Sequence, residues 1–300
     1  VAERFRCAAA SRAKGEPRYG TASTVQRWIL VEEPGPWARD AVRDSRLAGG
    51  AGPALKALAE GLHARVLLVR RHGRSRPDGR TCLVACTTVD TRRVERLAFD
   101  APAELLDRDW TPLLHDEPVG GVPVDRPVYL VCTNGRHDVC CAEHGRRLAA
   151  ALAPALGDDL WECSHFGGDR FAANLVCLPH GLYYGHVEPE LGAAIAAAYA
   201  AGRLDLEHFR GRSCHPFVVQ AAEFLVRERE GLLGLDDLVW ERRVGLAAGN
   251  AVVPFTDLAG RRLSATVEVR PDPDEQLLSC GAQTWSHPPR YRLVGLETTP

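Results

Sequence analysis

Residues 127–169 read PVYLVCTNGRHDVCCAEHGRRLAAALAPALGDDLWECSHFGGD. An apolar run at 127–132 leads into a stretch, 142–156, where Leu148, Leu152 and Leu156 recur at four-residue spacing, and a second apolar run follows at 159–163. That pattern predicts a strand, a helix and a second strand parallel to the first. Downstream, AANLVCL (172–178) and LYYGHV (182–187) flank the turn Pro179-His180-Gly181 and predict an antiparallel hairpin, closed by a helix over 190–201.

Upstream the same order recurs. Strand 26–32 (QRWILVE) precedes helical stretches at 37–47 and 53–62, strands at 65–70 and 81–88, a short strand near 95–98 and a helix near 102–108. Each half thus reads β-α-β-β-β-α, the element order of a thioredoxin-like unit, which implies an internal duplication. The expected fold class is α/β: tandem thioredoxin-like units, a degenerate scaffold over 1–118 and a chemically equipped unit over 119–202. Where Cys132 ends its strand, the first half has Val31-Glu32-Glu33-Pro34. Over 203–300 a helix at 216–230 and alternating segments at 239–245, 250–255, 262–270 and 290–296 predict a small α+β appendage. Gly211 to Pro216 reads as the loop that opens its helix.

Composition narrows the function classes. The 300 residues are 45% hydrophobic and 25% charged, enough for a sizeable core. A formal charge of -2 and a pI near 6.6 give no electrostatic case for nucleic acid or an anionic membrane. No apolar stretch is long enough to span a bilayer, and VAERFRCAAASRAKG lacks the apolar core of a signal peptide, so a cytoplasmic location is expected. Ten cysteines in a reducing compartment do not form a disulfide framework, and Cys7, Cys82, Cys86, Cys214 and Cys280 are expected as buried small apolar residues.

Four of the remaining cysteines gather. Cys132, Cys140, Cys141, Cys163, His165 and Asp169 fall on two loops at the ends of neighbouring strands, where open α/β sheets present their sites. Soft thiolates with an imidazole suit iron-sulfur or zinc. Cys141 opens a helix, whose unpaired N–H groups favour the thiolate. Gly167 and Gly168 are expected to let the backbone approach a cofactor closely.

On these residues the chain resembles the sucrase/ferredoxin-like family, whose second domain is a thioredoxin-like 2Fe-2S ferredoxin marked by Cys-x8-Cys and a later His-x-Gly-Gly-His-type loop. Cys132 and Cys141 match the first motif, and His165-Phe166-Gly167-Gly168 the start of the second. Similarity extends from CAAASRAKGEPRYGTASTVQRW through SHFGGDRFAANLVCLPHGLYYG to RGRSCHPFVVQAAE. The resemblance implies a 2Fe-2S cluster, one-electron transfer, and a separate reductase or electron acceptor as partner. The closing histidine is replaced by Asp169, while Cys163 precedes His165 by two residues, so the fourth ligand lies between Cys163 and Asp169. A thiolate is the softer donor, which makes Cys132, Cys141, Cys163 and His165 the expected set, with Asp169 as a hydrogen-bonding neighbour or oxygen ligand.

Four other readings compete. A Rieske-type centre would use Cys163, His165, Cys177 and His180. A thiol-disulfide oxidoreductase on the thioredoxin-like frame lacks a Cys-x-x-Cys and would depend on the vicinal Cys140-Cys141. A structural zinc site would use the same donors as the cluster. A glycosidase needs a facing carboxylate pair, and Asp158, Asp159 and Glu162 do not single one out.

Overall fold

The computed structural model describes residues 4–73 and 79–299. In chain order the helices are α1 (Cys7–Lys14), α2 (Ala51–Gly61), α3 (Pro102–Leu106), α4 (Thr111–Leu114), α5 (Val139–Leu156), α6 (Pro189–Ala200) and α7 (Phe217–Glu230). The strands are β1 (Arg27–Glu32), β2 (Ala64–Arg71), β3 (Arg80–Thr87), β4 (Arg92–Phe99), β5 (Val122–Pro123), β6 (Val128–Cys132), β7 (Leu160–Cys163), β8 (Leu175–Leu178), β9 (Leu182–Tyr184) and β10 (Phe209–Arg212). Five more follow: β11 (Leu238–Trp240), β12 (Gly245–Ala247), β13 (Asn250–Asp257), β14 (Arg262–Pro271) and β15 (Pro289–Thr299).

Strands β1 to β10 form one mixed sheet in the order β10-β9-β8-β6-β7-β2-β1-β3-β4-β5. Within it, β1 runs parallel to β2 and antiparallel to β3, which pairs with β4. The second half repeats that pairing with β6, β7, β8 and β9. The halves join edge to edge through antiparallel β2 and β7, where Val69 faces Cys163.

Alternation along the strands sorts side chains onto two faces. One face runs across both halves and holds Trp28, Leu30, Val69, Leu130, Cys132, Trp161 and Cys163 in a single apolar layer. On the other, Ile29, Val31 and Leu68 pack beneath Leu55 of α2, while Tyr129, Val131 and Leu160 pack beneath Leu148 and Leu152 of α5 and Ile195 of α6. Central strands covered on both faces explain the near-continuous apolar runs in the sequence.

The C-terminal strands form a second sheet in the order β11-β13-β14-β15, with β12 paired to β13. Helix α7 buries Val219, Ala222 and Val226 against Val253, Phe255, Leu263 and Val267 of that sheet. Its buried Glu223 meets Arg212 at 2.8 Å, Arg227 at 3.0 Å and His215 at 3.2 Å, tying α7 to the edge strand β10.

The helix expected over 37–47 does not form; turns occupy that segment up to a short 3-10 turn at Ala48–Gly50. Trp37 donates its indole N–H to the Glu33 carbonyl, and Asp40 accepts the Arg43 N–H while pairing with Lys56. These side chain–backbone bonds compete with a helical ladder. Helix α1 and strand β10 were not expected. The first is a single short polar-alanine stretch, and the second hides its strand character behind two buried arginines, Arg212 paired with Glu223 and Arg210 hydrogen-bonded to Asn174 and Thr21.

Candidate metal centre

Strand β6 is buried along its whole length and delivers Cys132 to its C-terminal tip. The chain turns through Thr133, whose hydroxyl donates to Glu162 at 2.8 Å, and reaches Asp138, which caps α5 by accepting the Cys140 N–H at 2.8 Å. Such a cap satisfies one otherwise orphaned donor and fixes where the helix begins. Cys141 therefore sits in the first turn, where the helix dipole favours negative charge. Gly145, one turn on, packs directly on the Cys132 carbonyl: a Cβ there would collide with that oxygen.

The second arm comes from β7, in parallel register with β6 so that Cys163 lies beside Cys132. Beyond it, the 164–169 loop is held from several sides. Ser164 donates its N–H to Leu68 at 2.8 Å, and the Phe166 carbonyl accepts from Ser23 at 2.8 Å and Arg65 at 2.8 Å. Buried Arg210 donates to the Thr21 carbonyl at 2.6 Å, Asn174 at 2.7 Å and the Gly167 carbonyl at 3.3 Å. Gly167 and Gly168 have φ of 106° and 87°. A Cβ at the first would strike the Ser23 hydroxyl and at the second the Arg210 guanidinium, so both glycines are required by the loop's own packing.

These arms bring four of the expected residues together. His165 Nδ1 lies 3.9 Å from Cys132 Sγ, 3.9 Å from Cys141 Sγ and 3.1 Å from Asp169 Oδ1, and Asp169 Oδ1 lies 3.3 Å from Cys141 Sγ. Donor atoms of Cys132, Cys141 and His165 all fall within 4.8 Å of one another, as do those of His137, His165 and Asp169. Cys163 is not in either group. It is fully buried in the same apolar layer as Cys132 and Cys141, and burial pushes its thiol well above the usual range.

His137 was not singled out from the sequence. Its ring stacks on His165 with centroids 3.7 Å apart, and its Nε2 is 3.8 Å from Asp169 Oδ2. A histidine in the Cys132–Cys141 loop was the available signal. Cys140 points away from this centre, toward Cys280.

Electrostatics favour a thiolate at Cys132 beside a protonated His165. Hydrogen bonding to Cys141 lowers Cys132 well below the ordinary thiol value against the effect of burial, and the same pairing, with burial and Asp169, raises Cys141. Burial disfavours charge on His165, but the Cys132 thiolate and Asp169 outweigh it and raise its pKa. Burial raises Asp169 and lowers Arg210 to about 10, which leaves that guanidinium charged near neutrality behind the loop. On its outer side His165 lines a cavity of about 480 Å³ together with His137, Asn134, Arg39, Arg43 and Arg65.

The sucrase/ferredoxin-like family model matches residues 18–211. The chain belongs to that family. No curated protein and no solved structure matches it. The matched span contains Cys132, Cys141, Cys163, His165 and Asp169, and leaves Cys7 and Cys280 outside it.

One competing reading loses its geometry. Cys177 packs in the layer under α5 and α6, on the sheet face opposite Cys163, so the Rieske-type set does not converge. Of the three carboxylates weighed for a glycosidase, Glu162 is committed to Arg70 at 2.6 Å and His72 at 2.8 Å. Among the described residues no helix is long and apolar enough to cross a membrane.

Proposed function

We propose that this chain is a one-electron carrier whose Cys132, Cys141, His165 and Asp169 hold a 2Fe-2S cluster. The observation that carries the reading is the convergence of two thiols, an imidazole and a carboxylate from two separate strand ends on one buried volume. The donor set fits such a group: thiolates are its ordinary ligands and imidazole replaces thiolate in known centres. Asp169 is the harder fourth donor, favoured over Cys163 because its carboxylate touches both Cys141 and His165. When bound, the cluster would supply reversible one-electron chemistry.

The chain's own residues set the rest. Arg210 and the start of α5 place positive potential beside a centre that gains negative charge on reduction. The apolar layer around Cys132 and Cys163 keeps water from the thiolate side, and His165 faces the cavity from which a reductase or acceptor would approach. The repeated pairing of the two sheet halves supports tandem thioredoxin-like units, the first without ligands and the second with them. A cytoplasmic, reducing setting fits ten cysteines none of which is in a disulfide.

A single zinc ion is the second reading, because Cys132, Cys141 and His165 alone are compact enough for one ion. Anaerobic purification with visible absorbance, iron and acid-labile sulfide analysis, and electron paramagnetic resonance after reduction separates the two. A brown protein with equal iron and sulfide supports the cluster; a colourless zinc protein refutes it.

A further inference from the structure

Behind the first centre, Cys140 meets two cysteines from opposite ends of the chain. Cys140 Sγ is 3.4 Å from Cys280 Sγ, Cys280 Sγ is 3.5 Å from Cys7 Sγ, and Cys7 Sγ is 3.8 Å from each carboxylate oxygen of Asp138. Ligand atoms of all four lie within 4.8 Å of one another. Cys7, Cys140 and Asp138 are buried, and Cys280 closes the outer side, half-buried.

We propose that Cys7, Cys140, Cys280 and Asp138 form a second metal site that takes one tetrahedral, thiophilic divalent ion, zinc by preference. Zinc–sulfur bonds of ~2.3 Å and tetrahedral angles place sulfurs ~3.8 Å apart and a carboxylate oxygen about 3.5 Å from each sulfur. Three of the six edges, Cys140–Cys280, Cys280–Cys7 and Cys7–Asp138, differ from these by only a few tenths of an ångström, and the others lie within 4.8 Å. Asp138 accepts the Cys140 N–H on Oδ1 at 2.8 Å and the Cys280 N–H on Oδ2 at 2.6 Å. A carboxylate has further lone pairs to offer a metal, and these two N–H bonds hold it in orientation.

Half of the site comes from segments that the family match leaves out. Cys7 lies on α1, and Cys280 on the loop between β14 and β15, so only Cys140 and Asp138 fall within 18–211. A bound ion would pin the first helix and the C-terminal loop onto the first turn of α5, which also carries Cys141. The site would thus brace the first centre without sharing a ligand with it.

The test is elemental analysis of the full chain, with Co(II) titration of metal-free protein as a spectroscopic probe. About one zinc per chain is expected beyond any iron, together with tetrahedral cobalt bands. Made in a Cys132→Ser background that disables the first centre, Cys7→Ser and Cys280→Ser should abolish both, whereas Cys132→Ser alone should leave about one zinc per chain and the cobalt bands in place. Cys280→His, which restores a donor, should recover cobalt binding and so separates ligand loss from misfolding. The proposal is overturned by a disulfide joining any two of the three cysteines in the purified protein, by zinc and cobalt that Cys132→Ser removes, or by absence of bound metal.

Discussion

Gly145→Ala is the sharpest perturbation of the candidate centre, because the added methyl would enter the space of the Cys132 carbonyl oxygen. Neither partner is a flexible side-chain end: one is a strand tip and the other an 18-residue helix. Restoring a normal carbon–oxygen contact requires α5 to withdraw by roughly 1 Å. Metal sites tolerate distance errors of about 0.2 Å, so such a displacement of Cys141 from Cys132 is several times too large. For the fold, alanine gains about 1 kcal/mol of helix propensity over glycine. Overpacking costs about 1–3 kcal/mol, leaving a net loss of up to roughly 2 kcal/mol. The expected result is a modestly destabilised protein that loses most of its iron, read by urea unfolding and iron analysis side by side. Arg147→Ala, at an exposed position on the same helix, serves as the control and should change neither quantity. Full iron content with unchanged or raised stability in Gly145→Ala would show that α5 and β6 are not in the contact described.

Asp169→Ala should strip iron, while Asp169→His, with a softer donor, should retain at least as much as the parent; equal retention in all three proteins contradicts a ligand role. Cys163→Ala should keep its iron and lose about 1 kcal/mol by urea denaturation, the cost of a small cavity. Glu223→Gln strands two buried guanidiniums and should cost about 3–5 kcal/mol, seen as a lower denaturation midpoint. Burial alone would raise Glu223, but Arg212, Arg227 and His215 hold it well below the usual carboxylate range. Its contribution is therefore present above the unfolded value near 4.5 and lost as pH falls through the folded one. Parent stability should decline in acid below that value, and the Glu223→Gln protein should show less of this decline.

Legibility followed burial pattern and local spacing. The four-residue leucine spacing of α5 and the apolar runs of β6 and β7 are strong local signals, and the strands formed where they were expected. The segment 37–47 misled because its apolar residues, Trp37, Ala41, Val42 and Leu47, are buried through turns rather than along one helical face. Within the centre, Cys132, Cys141 and His165 were readable as a motif, whereas choosing between Cys163 and Asp169 required knowing which way a strand tip points. Donor softness argued for Cys163, which shares the apolar layer with Cys132 and Cys141 but lies outside the compact donor groups that hold those two and Asp169. Cys7 and Cys280 were unreadable as partners of Cys140 because more than a hundred residues separate each from it, and nothing local records such a contact.

The measurement closest to the centre of this account is pulsed electron paramagnetic resonance of the reduced full chain grown with isotope-labelled histidine. A cluster signal with coupling to histidine nitrogen, abolished in His165→Ala and preserved in Cys163→Ala, is the expected outcome. A signal without histidine coupling, or a reduced protein with no paramagnetic centre, contradicts it.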